Sequence, residues 1–290
     1  MGGIYPMIVR SLTSDDVSLA PAWLRERSML PDRWSDEHTR TLIAEDGAGE
    51  PIGAGTMWTS RVHPDRYSVD LIVAPAHRRA GIATALLAAL ADLQPAPKPL
   101  IWGAAETDPA QEFVAAFGGR TIQRAPLDTF QTSRAVRLRP HDDVASAAAV
   151  SRVALEQAWA DMYEWTHADW HPMGPDARAA LVEDLWDEID PHLSSVAVSA
   201  SGAIDAVLLV YIDGARPVVA GETVARNTAA GATLLEGCVR RTFEQLAGSG
   251  VAETLLDAHE TDPHFAPLFD ALGPVTRWHR IVEFHPRRSA

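Results

Sequence analysis

The chain has 290 residues, 47% of them hydrophobic and 22% charged, a globular composition with length for two modest domains that excludes a disordered or fibrous protein. A formal net charge of −14 excludes a nucleic-acid binder built on clustered Lys and Arg. The single cysteine, Cys238, excludes an intramolecular disulfide and a cysteine-rich zinc site and fits a reducing compartment, the cytoplasm. No apolar run reaches the roughly 20 residues that span a bilayer, and "MGGIYPMIVR" lacks the regions of a signal peptide, so neither a membrane nor export is expected.

In chain order, a short strand and an Asp-Asp helix start are followed by strands at "RTLIAED", "IGAGTMWTSRV" and "YSVDLIV". A helix from Ile82 carries Ile82, Leu86, Leu90 and Leu93 on one stripe, the spacing of a buried helix face. Next come the strand "LIWGAA", a short helix around Gln111–Phe117 and a last strand. The second half repeats the pattern, with strands at "SSVAVSA", "AIDAVLLVYID" and "RPVVAGETV", a helix near Ala232–Leu246, the strand "AETLLDA" and a short helix ending at Gly273.

The repetition extends to residues. "VRSLTSDDV" at Val9–Val17 returns as "VRLRPHDDV" at Val136–Val144, and "AETDP" at Ala105–Pro109 returns as "HETDP" at His259–Pro263. The order is kept and the separations are 127 and 154 positions, so two copies of one mixed α/β unit are expected, residues 1–132 and 133–290, with extra length in the second. The helical stretch from Leu155 to Asp190 accounts for that length. Through Ser146 there are 15 Lys and Arg against 18 Asp and Glu, and after it 10 against 21. The first copy is therefore the better host for an anion and the second for a cation.

"VAPAHRRAGIATALLAAL" places Arg78, Arg79 and Gly81 just where a helix begins after a strand. A helix start presents unpaired backbone N–H groups and the positive end of its dipole. Gly81 permits close backbone approach, Ala83 keeps the start unobstructed and the arginines add charge, which suits a pyrophosphate. The counterpart "VARNTAAGATLL" keeps Gly231 but has Thr228 in place of Arg78 and no paired arginines.

"VDLIVAPAHRRAGIATALLAAL", together with "IVRSLTSDDV" and "ETDPAQEFVAAFGG", resembles the GCN5-related N-acetyltransferase (GNAT) family, in a tandem form with a degenerate second copy. The resemblance implies a duplicated mixed-sheet acyl-CoA N-acyltransferase fold using acetyl-CoA. It places Ile72 and Val73 beside the pantetheine, Arg78, Arg79, Ala80, Gly81, Ile82, Ala83 and Thr84 around the pyrophosphate, and Thr107 where the family has an Asn near the cofactor. It also implies a general-acid Tyr that this chain lacks: Val114 stands there in the first copy and Phe269 in the second.

Attack by an amine requires loss of a proton, and a carboxylate near the acyl carbonyl can take it. Asp70 resembles the second acid of the family's E-D-x-x-V strand, and Glu106 closes the next strand, so both are candidate catalytic residues. The alternatives are that Asp70 bonds a nearby backbone group and that Glu106 with Asp108 caps the following helix. In the second copy, Leu155, Trp159, Met162 and Thr166 lie at helical spacing and are expected to pack inward. Asp161, Glu164, Trp165, Asp169 and Trp170 form an acidic and aromatic combination that attracts an ammonium, the alternative being a solvated helix face. His167 and His171 lack the glutamate of a metalloprotease helix, and no metal is expected.

The sequence therefore reads as an enzyme moving an acetyl or short acyl group from acyl-CoA to the amine of a small, cationic metabolite that enters between the lobes. A non-catalytic acyl-CoA or metabolite-binding protein is the alternative. The partner expected is the small-molecule amine alone, without nucleic acid or membrane, and the chain is expected to be a monomer or homodimer.

Overall fold

A computed structural model describes residues 7–25, 39–212, 214–224 and 228–286. Chain order begins β1 (Ile8–Ser11), α1 (Ser14–Ser18), α2 (Ala22–Arg25), β2 (Thr39–Glu45), β3 (Pro51–Trp58), β4 (Tyr67–Val73), α3 (Ile82–Asp92), β5 (Leu100–Ala105), α4 (Ala110–Ala115), β6 (Arg120–Pro126) and β7 (Phe130–Gln131). It continues β8 (Val144–Ser146), α5 (Arg152–His167), α6 (Ala177–Val182), α7 (Leu185–Glu188), β9 (Ser195–Val198), β10 (Ile204–Tyr211), β11 (Val218–Thr223), α8 (Thr228–Gly248), β12 (Glu253–Asp257), α9 (Phe269–Leu272) and β13 (Trp278–Phe284). Two mixed sheets result, one of seven strands ordered β1-β2-β3-β4-β5-β13-β6 and one of six ordered β7-β12-β11-β10-β9-β8. This is the duplicated mixed-sheet α/β architecture that the repeats predict. In each sheet the helix following the meander crosses to a parallel neighbour, through α3 to β5 and through α8 to β12.

Two compact units divide the chain. The first comprises Met1–Trp102, Pro109–Arg120 and Val282–Ala290, and the second Gly103–Asp108 and Thr121–Ile281, so both are discontinuous in sequence. In the first unit α3 buries Ile82, Leu86, Leu87 and Leu90 against Leu42, Ile52, Met57, Tyr67 and Val69. Each such apolar side chain is worth about 1.5–3 kcal/mol when fully removed from water. The helix lies so close to β3 that a Cβ on Gly53 would stand 2.7 Å from Ile82 Cγ2. The other face of the sheet packs Leu12, Ala20, Leu24, Ile43 and Ala54. Thr13 closes a capping box with Asp16 at the start of α1, and Arg10 binds Asp16 at 2.7 Å while also contacting Glu45.

In the second unit α8 packs Leu235, Cys238, Val239, Phe243 and Leu246 on one face of the sheet. On the other, α5 packs Leu155, Trp159 and Met162 against Val207, Leu209 and Ala220, as their spacing predicts; Thr166 is half-buried beside them. No helix among the described residues is long and apolar enough to cross a membrane.

Candidate functional site

The turn between β4 and α3 is built to expose its backbone. After a 3-10 turn at Pro75–His77, Arg78 donates from Nε to the Val73 carbonyl at 3.3 Å. Arg79 adopts φ +64° and Gly81 φ +83°, both left-handed. An arginine bears this conformation at a cost of about 1–2 kcal/mol, and alternation of hand turns successive N–H groups toward one side. Gly81 supplies no capping side chain and accepts the first helical bond, from Ala85 N at 3.0 Å. Arg78, Arg79, Ala80, Gly81 and Thr84 are exposed, Ala83 is half-buried, and Ile82 is buried in the core. A helix anchored in the core thus presents an open positive end in a turn that carries Arg78 and Arg79, an arrangement able to accept an anion.

Ile72, Val73 and Asp70 come from the strand leading into that turn. β4 pairs with β3 along its whole length but with β5 only at Tyr67↔Leu100 and Ser68↔Ile101. Val69, Leu71 and Val73 pack toward α3. Alternation therefore sets Asp70 on the opposite face with Ile72, which packs beside Leu12 and Leu24. Asp70 is half-buried opposite Thr56, whose hydroxyl bonds Thr41 at 3.0 Å. Thr41 and Thr56 are 0% and 2% exposed. This row of hydroxyls leading to Asp70 is a feature that sequence reasoning passed over, because Thr in a strand carries no signal of its own.

Glu106 has a different setting. Its carboxylate meets Arg124 at 2.9 Å, and Arg124 also bonds Glu260 at 2.6 Å while lying 4.4 Å over the Trp278 ring. A guanidinium shared by two carboxylates holds both in place. Thr107 is exposed on the turn that follows. Val114 is 2% exposed in the α3 core and Phe269 is 6% exposed in the second core, so the positions of the family's tyrosine are packed and apolar. Cys238 is fully buried, and burial pushes its thiol far above the ordinary range, which leaves no thiolate for a covalent route.

The acidic and aromatic residues of the second copy divide into two groups. Asp161 binds Arg178 at 2.6 Å, Glu164 binds the same guanidinium, and all three side chains are substantially exposed. The Trp165 indole donates to the Thr223 carbonyl at 2.8 Å, and Trp170 donates to the Thr166 carbonyl at 3.1 Å while its ring meets His167 and His259. Asp169 is exposed.

The sequence reading missed a buried pair beneath α8. Glu222 accepts from the backbone of Thr223 at 2.8 Å and of His264 and Phe265 at 3.0 Å each, and from His264 Nδ1 at 2.8 Å. Both side chains are 1% exposed, and desolvation raises the Glu222 carboxyl. A Cβ on Gly231, in the first turn of α8, would lie 2.8 Å from His264 Nε2. The glycine that the second copy keeps thus serves packing. Ala225, Arg226 and Asn227 of its loop lie outside the described residues.

Residues 7–118 match the acetyltransferase (GNAT) family. No curated protein sequence matches the chain. Among solved structures, a GCN5-related N-acetyltransferase from Sphaerobacter thermophilus is similar at 16% identity and TM-score 0.60, over 98% of this chain and 97% of that one. A tandem GNAT protein from the clavulanic acid biosynthesis pathway is similar at 15% identity and TM-score 0.61, over 98% and 100%. A glucosamine N-acetyltransferase region of a fungal multi-domain β-N-acetylglucosaminidase is similar at 15% identity and TM-score 0.62, over 97% of this chain and 38% of that one. At these identities the likeness concerns the fold alone: residues 7–118 match the acetyltransferase (GNAT) family model, and the whole chain is folded like a tandem GNAT protein.

Proposed function

We propose that the protein transfers an acetyl or short acyl group from acyl-CoA to the amine of a small, cationic metabolite, with residues 1–132 as the acyl-CoA-binding copy and residues 133–290 as a degenerate copy that shapes the acceptor site. The observation that carries this reading is the β4–α3 turn, where the left-handed Arg79 and Gly81 leave an uncapped, solvent-facing helix start. N–H groups from Arg79 through Thr84 hold the pyrophosphate, with Arg78 and Arg79 supplying charge. Ile72, Val73 and Thr107 lie along the pantetheine, and a backbone N–H near Val73 polarises the thioester carbonyl. The amine nitrogen bonds the acyl carbon directly, and the CoA sulfur leaves with the bonding pair.

Asp70 takes the amine proton, directly or through water, and Glu106 is the second candidate base. Asp161, Glu164, Trp165, Asp169 and Trp170 are the region assigned to the acceptor, Asp161 and Glu164 offering their charge in competition with Arg178. The single buried cysteine supports a cytoplasmic setting, and a monomer or homodimer suffices for the reaction.

The packed Val114 and Phe269 favour one other reading, an acyl-CoA-binding protein without turnover, because no phenol stands at either position to protonate the thiolate. Titration of the full chain with CoA, followed by rates with a panel of amines, separates the readings. One CoA per chain with turnover supports transfer, one CoA without turnover on any amine supports the binding protein, and no binding overturns both.

A further inference from the structure

The second copy keeps one of its own carboxyl groups at the place where the first is proposed to hold an acyl group. Both meanders end alike. Ala74 N–H donates to the Ile52 carbonyl at 3.0 Å, and Val224 N–H donates to the Asp205 carbonyl at 2.7 Å. Successive N–H groups of a strand leave by opposite edges, so those of Val73 and Thr223 point away from β3 and β10, toward the edges shared with β5 and β12. At this level the pairing along those edges has ended: β4 pairs with β5 no further than Ser68↔Ile101, and β11 with β12 no further than Ala220↔Asp257. Counted back from Gly81 and Gly231, Val73 and Thr223 occupy one position, and Ile72 and Glu222 the position before it.

The side chain at that earlier position separates the copies. Ile72 packs with Leu12 and Leu24 on the face away from α3. Glu222 instead folds back on the backbone of its own strand end. Thr223 N–H donates to Glu222 Oε1 at 2.8 Å, and the N–H groups of His264 and Phe265 donate to Oε2 at 3.0 Å each. One carboxyl group therefore bridges the end of β11 to the segment beyond β12, across the gap where the two strands no longer pair. His264 Nδ1 reaches Oε1 at 2.8 Å and the Thr223 hydroxyl at 3.2 Å, and its ring meets Trp165 edge-on. Both side chains are 1% exposed, a depth at which an acid is tolerated only because N–H donors replace water. Three backbone N–H groups converging on one pair of oxygens make a seat for an oxyanion. Here the chain fills that seat itself.

We propose that Glu222 is an internal ligand that closes the second copy to acyl-CoA, its carboxyl oxygen taking from Thr223 the N–H that, at Val73 in the first copy, polarises the thioester carbonyl. This rests on the reading that the first copy alone binds acyl-CoA, and it names the side chain responsible. The full chain and its Glu222→Ala variant are titrated calorimetrically with acetyl-CoA and melted with and without millimolar formate. The wild type should bind one acetyl-CoA and melt at the same temperature in both conditions. Glu222→Ala should melt lower and recover several degrees with formate, whose oxygens fit the vacated donors. It should also bind a second acetyl-CoA, about tenfold or more weaker than the first for want of paired arginines, and formate should displace that second molecule alone. One acetyl-CoA on both proteins, or a variant that formate does not stabilise, overturns the proposal and leaves the single-copy reading standing. Two on the wild type overturn both. If Glu222→Ala does not fold, Glu222→Gln carries the comparison: its amide turns an N–H group toward the His264 and Phe265 donors, so formate should raise its melting temperature and not that of the wild type, and equal responses overturn the proposal.

Discussion

Replacing Gly81 with Asp separates the fold of the β4–α3 turn from its proposed ligand. A Cβ at Gly81 meets nothing within 4 Å, so the substitution brings no clash. The left-handed φ of +83° costs a side chain about 1 kcal/mol, less for Asp and Asn than for other residues, and a carboxylate at the N-cap returns about 1 kcal/mol by accepting a first-turn N–H. Net stability should therefore barely change. Binding should change a great deal, because a negative charge about 5 Å from a pyrophosphate bearing about two negative charges costs about 1.7 kcal/mol even at the dielectric of water, roughly 15-fold in affinity. Gly81→Asn shares the shape, the backbone tolerance and the capping but not the charge, so the ratio of the two variants isolates electrostatics. CoA titration at low and high salt with parallel thermal melts gives both quantities. The ratio should shrink as salt rises. If Asp and Asn bind CoA equally well at low salt with unchanged melting temperatures, no anion sits at Arg79–Thr84 and the proposed donor site is refuted.

Asp70→Asn should lower the maximal rate by about 10²–10⁴-fold while leaving CoA affinity within twofold, and a near wild-type rate in steady-state assays would remove it from proton transfer. Glu106→Gln, measured alongside, should cost less rate than Asp70→Asn and lower the melting temperature, because it frees Arg124 from one of its two carboxylates. The Arg10 guanidinium holds the Asp16 carboxyl below its ordinary range, so this pair stabilises the fold at neutral pH and loses its contribution as pH falls through the folded-state value. Asp16→Asn should therefore cost about 1 kcal/mol or less at pH 7, given that Arg10 is 36% exposed, with the difference vanishing in denaturant titrations well below pH 4. Gly221→Ala would set a Cβ 2.1 Å from the Val207 carbonyl oxygen and 2.8 Å from Leu208 Cα. Backbone cannot yield as a side chain can, so a loss of about 3 kcal/mol is expected in the same titrations.

The parts of the molecule governed by local pattern are legible in the chain. Apolar runs containing Val or Ile give β4, β10 and β11, the stripe from Ile82 gives α3, and the Gly81 turn needs only a glycine and a following helix to be found. What escapes is set by partners distant in sequence. The last strand, β13, lies beyond the pattern read to Gly273 and hydrogen-bonds in the first sheet, between β5 and β6. Asp161 and Glu164 look like an open acidic face until Arg178 folds back from α6 to meet them. Glu222, in a strand of Val, Ala and Thr, is buried only because three backbone N–H groups and an imidazole converge on it, and nothing in the local pattern announces them.

The repeated "ETDP" acquires a physical reason within the second unit. Glu106 N–H donates to the Trp278 carbonyl at 2.8 Å and Glu260 N–H donates to the Arg124 carbonyl at 2.9 Å. Each repeat thus anchors its backbone on the final strand of the other, and the two carboxylates then converge on Arg124 where that guanidinium covers the Trp278 ring. Arg124 and Trp278 are themselves 154 positions apart, like Glu106 and Glu260, so one reciprocal arrangement uses the same pair of positions twice with different side chains at one of them. A single cation between two anions satisfies both glutamates, whereas an arginine at each position would place like charges in contact. Glu106 thereby has a structural duty that accounts for its recurrence without any appeal to catalysis.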